Sequence, residues 1–176
     1  MKPIFFLLLA AALPASAGLE MFTDGPVIKG YGKHATITPT LAPPKDFVAK
    51  VAFDAGSADH QQPLNRQFDT VARFLNMHAA SGVERNYIQP ALVVHGKAVF
   101  DLLKAKPYQQ RFDQANPNQP LVNALIAADV PIIVCGQSAA YLDINAEDLL
   151  PGVQLALSAM TAHRILAQQG YSTNPF

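Results

Sequence analysis

Ile132-Ile133-Val134-Cys135-Gly136-Gln137-Ser138-Ala139-Ala140 is the stretch that decides how this chain is read. Three β-branched residues form a short, wholly apolar run, as expected of a strand covered on both faces. Pro131 stands at its start, where a missing N–H is tolerated. Beyond Cys135 the residues become small, and 138–142 suggest a short helix. A cysteine thus ends a strand and precedes a helix.

The same alternation extends in both directions. Residues 47–53 read as a strand that ends in Asp54-Ala55-Gly56. Leu64, Phe68, Val71, Ala72, Leu75 and Ala79 then recur at helical spacing until Gly82. Residues 91–94 form a second apolar strand run, closed by His95-Gly96. A brief helix is expected over 97–104, and the polar stretch 108–119 reads as a loop. Leu121, Val122, Leu125, Ile126 and Ala128 make another helical face, with Pro120 in its first turn. Downstream, Pro151-Gly152 turns the chain into residues 153–157. The last helix runs from Ser158, a good N-cap, to Gly170. Strands alternating with helices define an α/β domain with a mostly parallel central sheet of four or five strands.

The termini carry a different message. Lys2, the apolar run 4–13 and Ala15-Ser16-Ala17 form the three parts of a secretory signal, with cleavage expected after Ala17. The apolar run is half the roughly twenty residues that a spanning helix needs. Export to a periplasm, or secretion, is the expected destination, with no membrane anchor left after cleavage. Removing 17 residues from 176 leaves 159, enough for one domain with a real core. Residues 18–45, punctuated by Gly25-Pro26, Gly30, Gly32, Pro39, Pro43 and Pro44, read as an arm lying on the surface of a 46–176 domain. Within it, Val27-Ile28 and 35–37 are short strand candidates. With Lys2 removed, 12 basic residues face 13 acidic ones. That balance argues against nucleic acid or an anionic membrane as partner. Charged residues make up 15% of the chain against a usual figure of about 25%, which fits apolar subunit contacts.

In open parallel sheets, ligands bind beyond the carboxyl ends of the strands. Those ends are Asp54-Ala55-Gly56, His95-Gly96, Cys135-Gly136-Gln137 and Ser158. Cys135 is the single cysteine, so it has no disulfide partner within the chain. A thiol before a helix N-terminus, with an imidazole at a neighbouring strand end, has a lowered pKa and is nucleophilic. A cysteine ending an apolar strand is equally a packing residue, and Gly96 and Gly136 equally serve tight turns. Both readings stay open at this level. Among His34, His60, His78, His95 and His163, a Cys135–His95–His60 set would suit copper or zinc. No metal-ligand spacing supports it, so no metal is expected. His78 falls on the apolar helical face, His60 and His163 are expected in solvent, and Asp148 pairs with Asn145 across a helix start. No phosphate-binding glycine loop or nucleophile elbow is present, so no cofactor is expected.

Residues 132–140, followed by Asp148-Leu149-Leu150-Pro151-Gly152-Val153, resemble the DsrE/DsrF-like family of small sulfur-relay proteins. The 91–96 strand and turn and the closing helix up to Gly170-Tyr171 fit the same pattern, so the resemblance spans 46–171. It implies a flavodoxin-like, DsrEFH-like three-layer fold, assembly as homotrimers or homohexamers, and a persulfide carried on Cys135. Relay members of the family work in the cytoplasm, so the export signal argues against tRNA thiolation. The expectation is an exported thiol protein that carries a small sulfur species on Cys135. His95 would assist, and Asp54, Gly96, Gly136, Gln137 and Ser138 would line the cleft. The alternatives are an oligomeric small-molecule binding protein that uses the same cleft with Cys135 inert, and a copper- or zinc-binding protein.

Overall fold

The computed structural model describes residues 18–58 and 64–174; the predicted signal at 1–17 and His60 lie outside them. The arm carries two short strands, β1 (Phe22–Thr23) and β2 (His34–Ala35), paired antiparallel. The domain sheet follows: β3 (Ala49–Ala55), β4 (Ile88–Val94), β5 (Ile132–Cys135), β6 (Val153–Ala156) and β7 (Ser172–Asn174). These five strands are parallel, in the order β6-β5-β4-β3-β7. Five helices accompany them among the described residues: α1 (Arg66–Ala80), α2 (Ala105–Phe112), α3 (Gln119–Ala127), α4 (Gly136–Tyr141) and α5 (Ala159–Gln168).

Period-two alternation divides the central strands between two cores. Phe53, Leu92, Val94, Ile132 and Val134 pack with Phe68, Val71 and Leu75 of α1 and Leu121 and Leu125 of α3. Ala52, Ala91 and Val93 point the other way, onto Ala162 and Leu166 of α5. The small alanines let one short helix lie close across that second face. Burial of apolar surface, at about 25 cal/mol per Å², drives both cores. The result is the expected three-layer α/β fold with a parallel sheet, at the upper of the two strand counts.

Several local expectations are revised. The loop read over 108–119 begins inside α2, whose polar outer side hides aromatic anchors. Tyr108 is buried and its ring centroid lies 4.7 Å from that of Phe112, which stands edge-on to Phe100. The helix expected over 97–104 is a 3₁₀ segment, Gly96–Leu102. Val27 and Ile28 do not form a strand, since both of their amides donate to Asn76 Oδ1 on α1. Asn76 Nδ2 donates in turn to the carbonyls of Ile28, Tyr31 and Gly32. The arm is therefore bolted to α1 by the buried Asn76 amide, by Asp69 Oδ1, which accepts from the Gly32 amide, and by Arg73 Nε, which donates to the Lys33 carbonyl, and it inserts Ile28 into the main core. β7 has no apolar signature, and pairs along β3 through backbone bonds at the sheet edge. The predicted Asn145–Asp148 pairing is present as a reciprocal capping box.

Candidate functional site at the strand ends

The sheet register brings three of the sequence candidates side by side. Val94 is paired with Ala55 on one side and with Val134 on the other. One residue further along, His95 continues extended, its amide bonded to the Ala55 carbonyl at 2.9 Å. His95 and Cys135 therefore follow paired residues on adjacent strands. Alternation places Asp54, His95 and Cys135 on the face of Ala52, Val93 and Ile133, the face that α5 crosses.

Cys135 occupies the topological switch point of the sheet. The chain leaves β5 into α4, whose Ala139 packs in the larger core, and leaves β6 into α5, which packs on the opposite face. Adjacent strands whose connections part to opposite faces open a crevice between them, the usual ligand position in such sheets. Donors from both sides act on the sulfur. Burial pushes the Cys135 thiol pKa up, but the Ser138 hydroxyl and the amides of Ser138, Ala159 and Gln137 outweigh it, and the net shift is downward. These donors surround the sulfur without closing a side-chain cap of regular geometry. The shift is toward the thiolate, the direction seen at reactive cysteines near helix starts. Cys135 is nonetheless only 6% exposed.

The glycines have steric reasons to be glycine. Gly96 has φ +52°, and a Cβ there would stand 2.4 Å from the Gly56 carbonyl oxygen. A Cβ on Gly136 would stand 2.6 Å from the Ala156 carbonyl oxygen, so a side chain would wedge β5 from β6 beneath the sulfur. Ser138 Oγ accepts from the Gly96 amide at 3.0 Å, and Gln137 Nε2 donates to the Leu157 carbonyl at 3.2 Å.

Asp54 has both oxygens engaged. Oδ2 accepts from His95 Nε2 and Oδ1 from His163 Nε2, each at 2.8 Å. Burial raises the Asp54 pKa, but the hydrogen bonds and positive charge of the two imidazoles outweigh it and hold the carboxyl below its ordinary value. His163, expected in solvent, is thus a member of the strand-end cluster. The groups that lower the Cys135 pKa are Ser138, Ala159 and Gln137, while the hydrogen bond of His95 goes to Asp54. No cluster of three or more His, Cys, Asp or Glu with metal-binding geometry occurs among the described residues. His78 sits half-buried at the end of α1, its ring 4.3 Å from that of Phe74.

A family model, DsrE/DsrF-like family, matches residues 49–174, a range that takes in the whole five-stranded parallel sheet. The chain belongs to the DsrE/DsrF-like family. Solved structures agree in fold. A protein of unknown function from Methanobacterium thermoautotrophicum, MTH1491, superposes with a TM-score of 0.54 at 16% identity. That match covers 74% of this chain and 100% of the other. The ychN protein from E. coli gives 0.53 at 18% identity, over 72% of this chain and 98% of its own. No curated protein sequence matches this chain. As a DsrE-like protein it is linked to sulfur relay.

Proposed function

We propose that this DsrE-like protein is exported and accepts a sulfane sulfur on Cys135 from a small persulfide. The thiolate attacks the outer sulfur of a donor R–S–SH, the donor's S–S bond breaks, and R–S⁻ leaves and takes up a proton. Cys135 then carries the new S–S bond as a persulfide, with no external oxidant needed. The observation that carries this reading is the set of donors from two helices that favours the Cys135 thiolate. His95, which follows β4 as Cys135 closes the adjacent β5 and is hydrogen-bonded to Asp54, would handle the proton in this reading. The signal pattern in residues 1–17 supports a periplasmic or secreted setting.

A homo-oligomer, a trimer or a multiple of it, belongs to the same proposal. Tyr141, Leu155, Leu157 and Met160 are exposed by 90, 55, 73 and 80%, on α4, the edge strand β6 and the start of α5. So much exposed apolar surface favours burial against another copy.

The 6% exposure of Cys135 favours a second reading, an oligomeric binding protein with an inert thiol. The rate of alkylation against pH in the folded protein separates the two. A sulfur carrier reacts in the native state with an apparent pKa below the ordinary thiol value. A thiol that reacts only after unfolding would leave the binding reading in place.

A further inference from the structure

Asp54 and its two histidines form a clamp that spans three elements: β3, the end of β4 and α5. An ionised carboxylate can only accept hydrogen bonds, so both imidazoles must carry a hydrogen on Nε2. In the neutral rings, Nδ1 then holds the lone pair. The two Nδ1 atoms differ in surroundings. That of His163 is fully buried with no hydrogen-bond partner. A proton placed there would be a buried, unpaired donor, which is costly. Of the two neutral tautomers, that geometry selects the Nε2–H form for His163. The His95 side chain is 36% exposed and lies between the strands that carry Asp54 and Cys135.

We propose that His163 is a positioning residue: by occupying one oxygen of Asp54 it fixes His95 as the Nε2–H tautomer, so that His95 Nδ1 is the proton acceptor of the Cys135 cleft. The clamp stands on geometry alone, and only the use of the proton rests on the thiol reading above. Neither Asp54 nor His163 need touch the sulfur. The neighbouring charged residues in the chain, Lys97 and Arg164, are exposed.

Asp54→Asn gives the hypothesis a sharp sign. An Asn side chain offers one acceptor and one donor in place of two acceptors. His163 cannot move its hydrogen to the buried Nδ1, so it takes the Asn oxygen. The amide NH₂ then faces His95 Nε2, which must become an acceptor, and His95 switches to Nδ1–H. In the double variant Asp54→Asn/His163→Ala, the amide is free to turn its oxygen to His95, and the Nε2–H form returns. Nitrogen-15 NMR of the imidazoles reads each tautomer directly, and alkylation of Cys135 is followed in the same samples. Expected are Nε2–H on both rings in wild type, a switch of His95 alone in Asp54→Asn, and its reversal in the double variant. Alkylation at neutral pH should fall and recover in step. A His95 that keeps Nε2–H in Asp54→Asn, or a switch that occurs on His163 instead, would overturn the clamp. Tautomers that switch while the alkylation rate stays constant would remove His95 as proton acceptor. A wild-type thiol that does not react at all would sink the sulfur-carrier function, with the NMR still deciding the clamp.

Discussion

The Gly96 amide donates to the Ser138 hydroxyl oxygen at 3.0 Å, tying the turn after β4 to the first turn of α4. With that oxygen engaged as an acceptor, the hydroxyl hydrogen is directed to the Cys135 sulfur, where it lowers the thiol pKa. Ser138→Ala should therefore raise the apparent pKa of Cys135 and slow its alkylation at neutral pH about tenfold. The pH dependence of alkylation measures it, with Cys135→Ser as the blank. An unchanged midpoint would mean that the amides alone set the thiol.

Asp54 should leave a signature in acid stability. Its folded pKa is depressed, so its stabilising contribution is complete above the ordinary carboxyl value of 3.8 and is lost as pH falls through the folded value. Urea midpoints of the wild type should drop across that acid window. Asp54→Asn, which has no carboxyl to protonate, should show a shallower drop there. Parallel acid limbs for the two proteins would contradict the assignment.

Asn76 holds the arm through two accepted and three donated hydrogen bonds. Asn76→Ala strands the amides of Val27 and Ile28 and the carbonyls of Ile28, Tyr31 and Gly32. We expect a loss of about 2–4 kcal/mol and early proteolysis within 18–45, with the sheet still formed. Chemical denaturation and limited proteolysis test both parts, and an arm that stays protected would mean that Asp69 and Arg73 hold it without Asn76.

Much of this fold was legible because its strands are apolar runs and its long helices are amphipathic. Ile132, Ile133 and Val134 announce a covered strand whatever their partners are. α2 was hidden because Tyr108 and Phe112 stand among glutamines, lysines and arginine, so polarity outweighed spacing. β7 was hidden because Ser172–Asn174 pairs by backbone and carries no core side chain. Cys135, His95 and Asp54 were found by the rule that parallel sheets work at their carboxyl ends. His163 was missed because its contact with Asp54 joins residues 109 apart, through a helix on the second face. A trace of it was present: Ala159, Ala162, His163 and Leu166 share one helical stripe, which points at the sheet rather than at water.

The exposed apolar edge predicts self-association. Met160→Glu, a surface change in the folded monomer, should reduce the oligomer toward monomer with no loss of the monomer's own stability. Light scattering at tens of micromolar reads the mass. A wild type that is already monomeric at that concentration would end the oligomer proposal.

Intact-mass analysis of the folded protein, incubated with a small persulfide donor and then freed of it, tests sulfur transfer most directly. The account predicts a gain of one sulfur atom, localised to the peptide that contains Cys135, removed by a thiol reductant and absent from Cys135→Ser. A wild-type mass that does not change, under conditions where the unfolded protein does take up the sulfur, would show that Cys135 is a packing residue and that the sulfur-carrier reading is wrong.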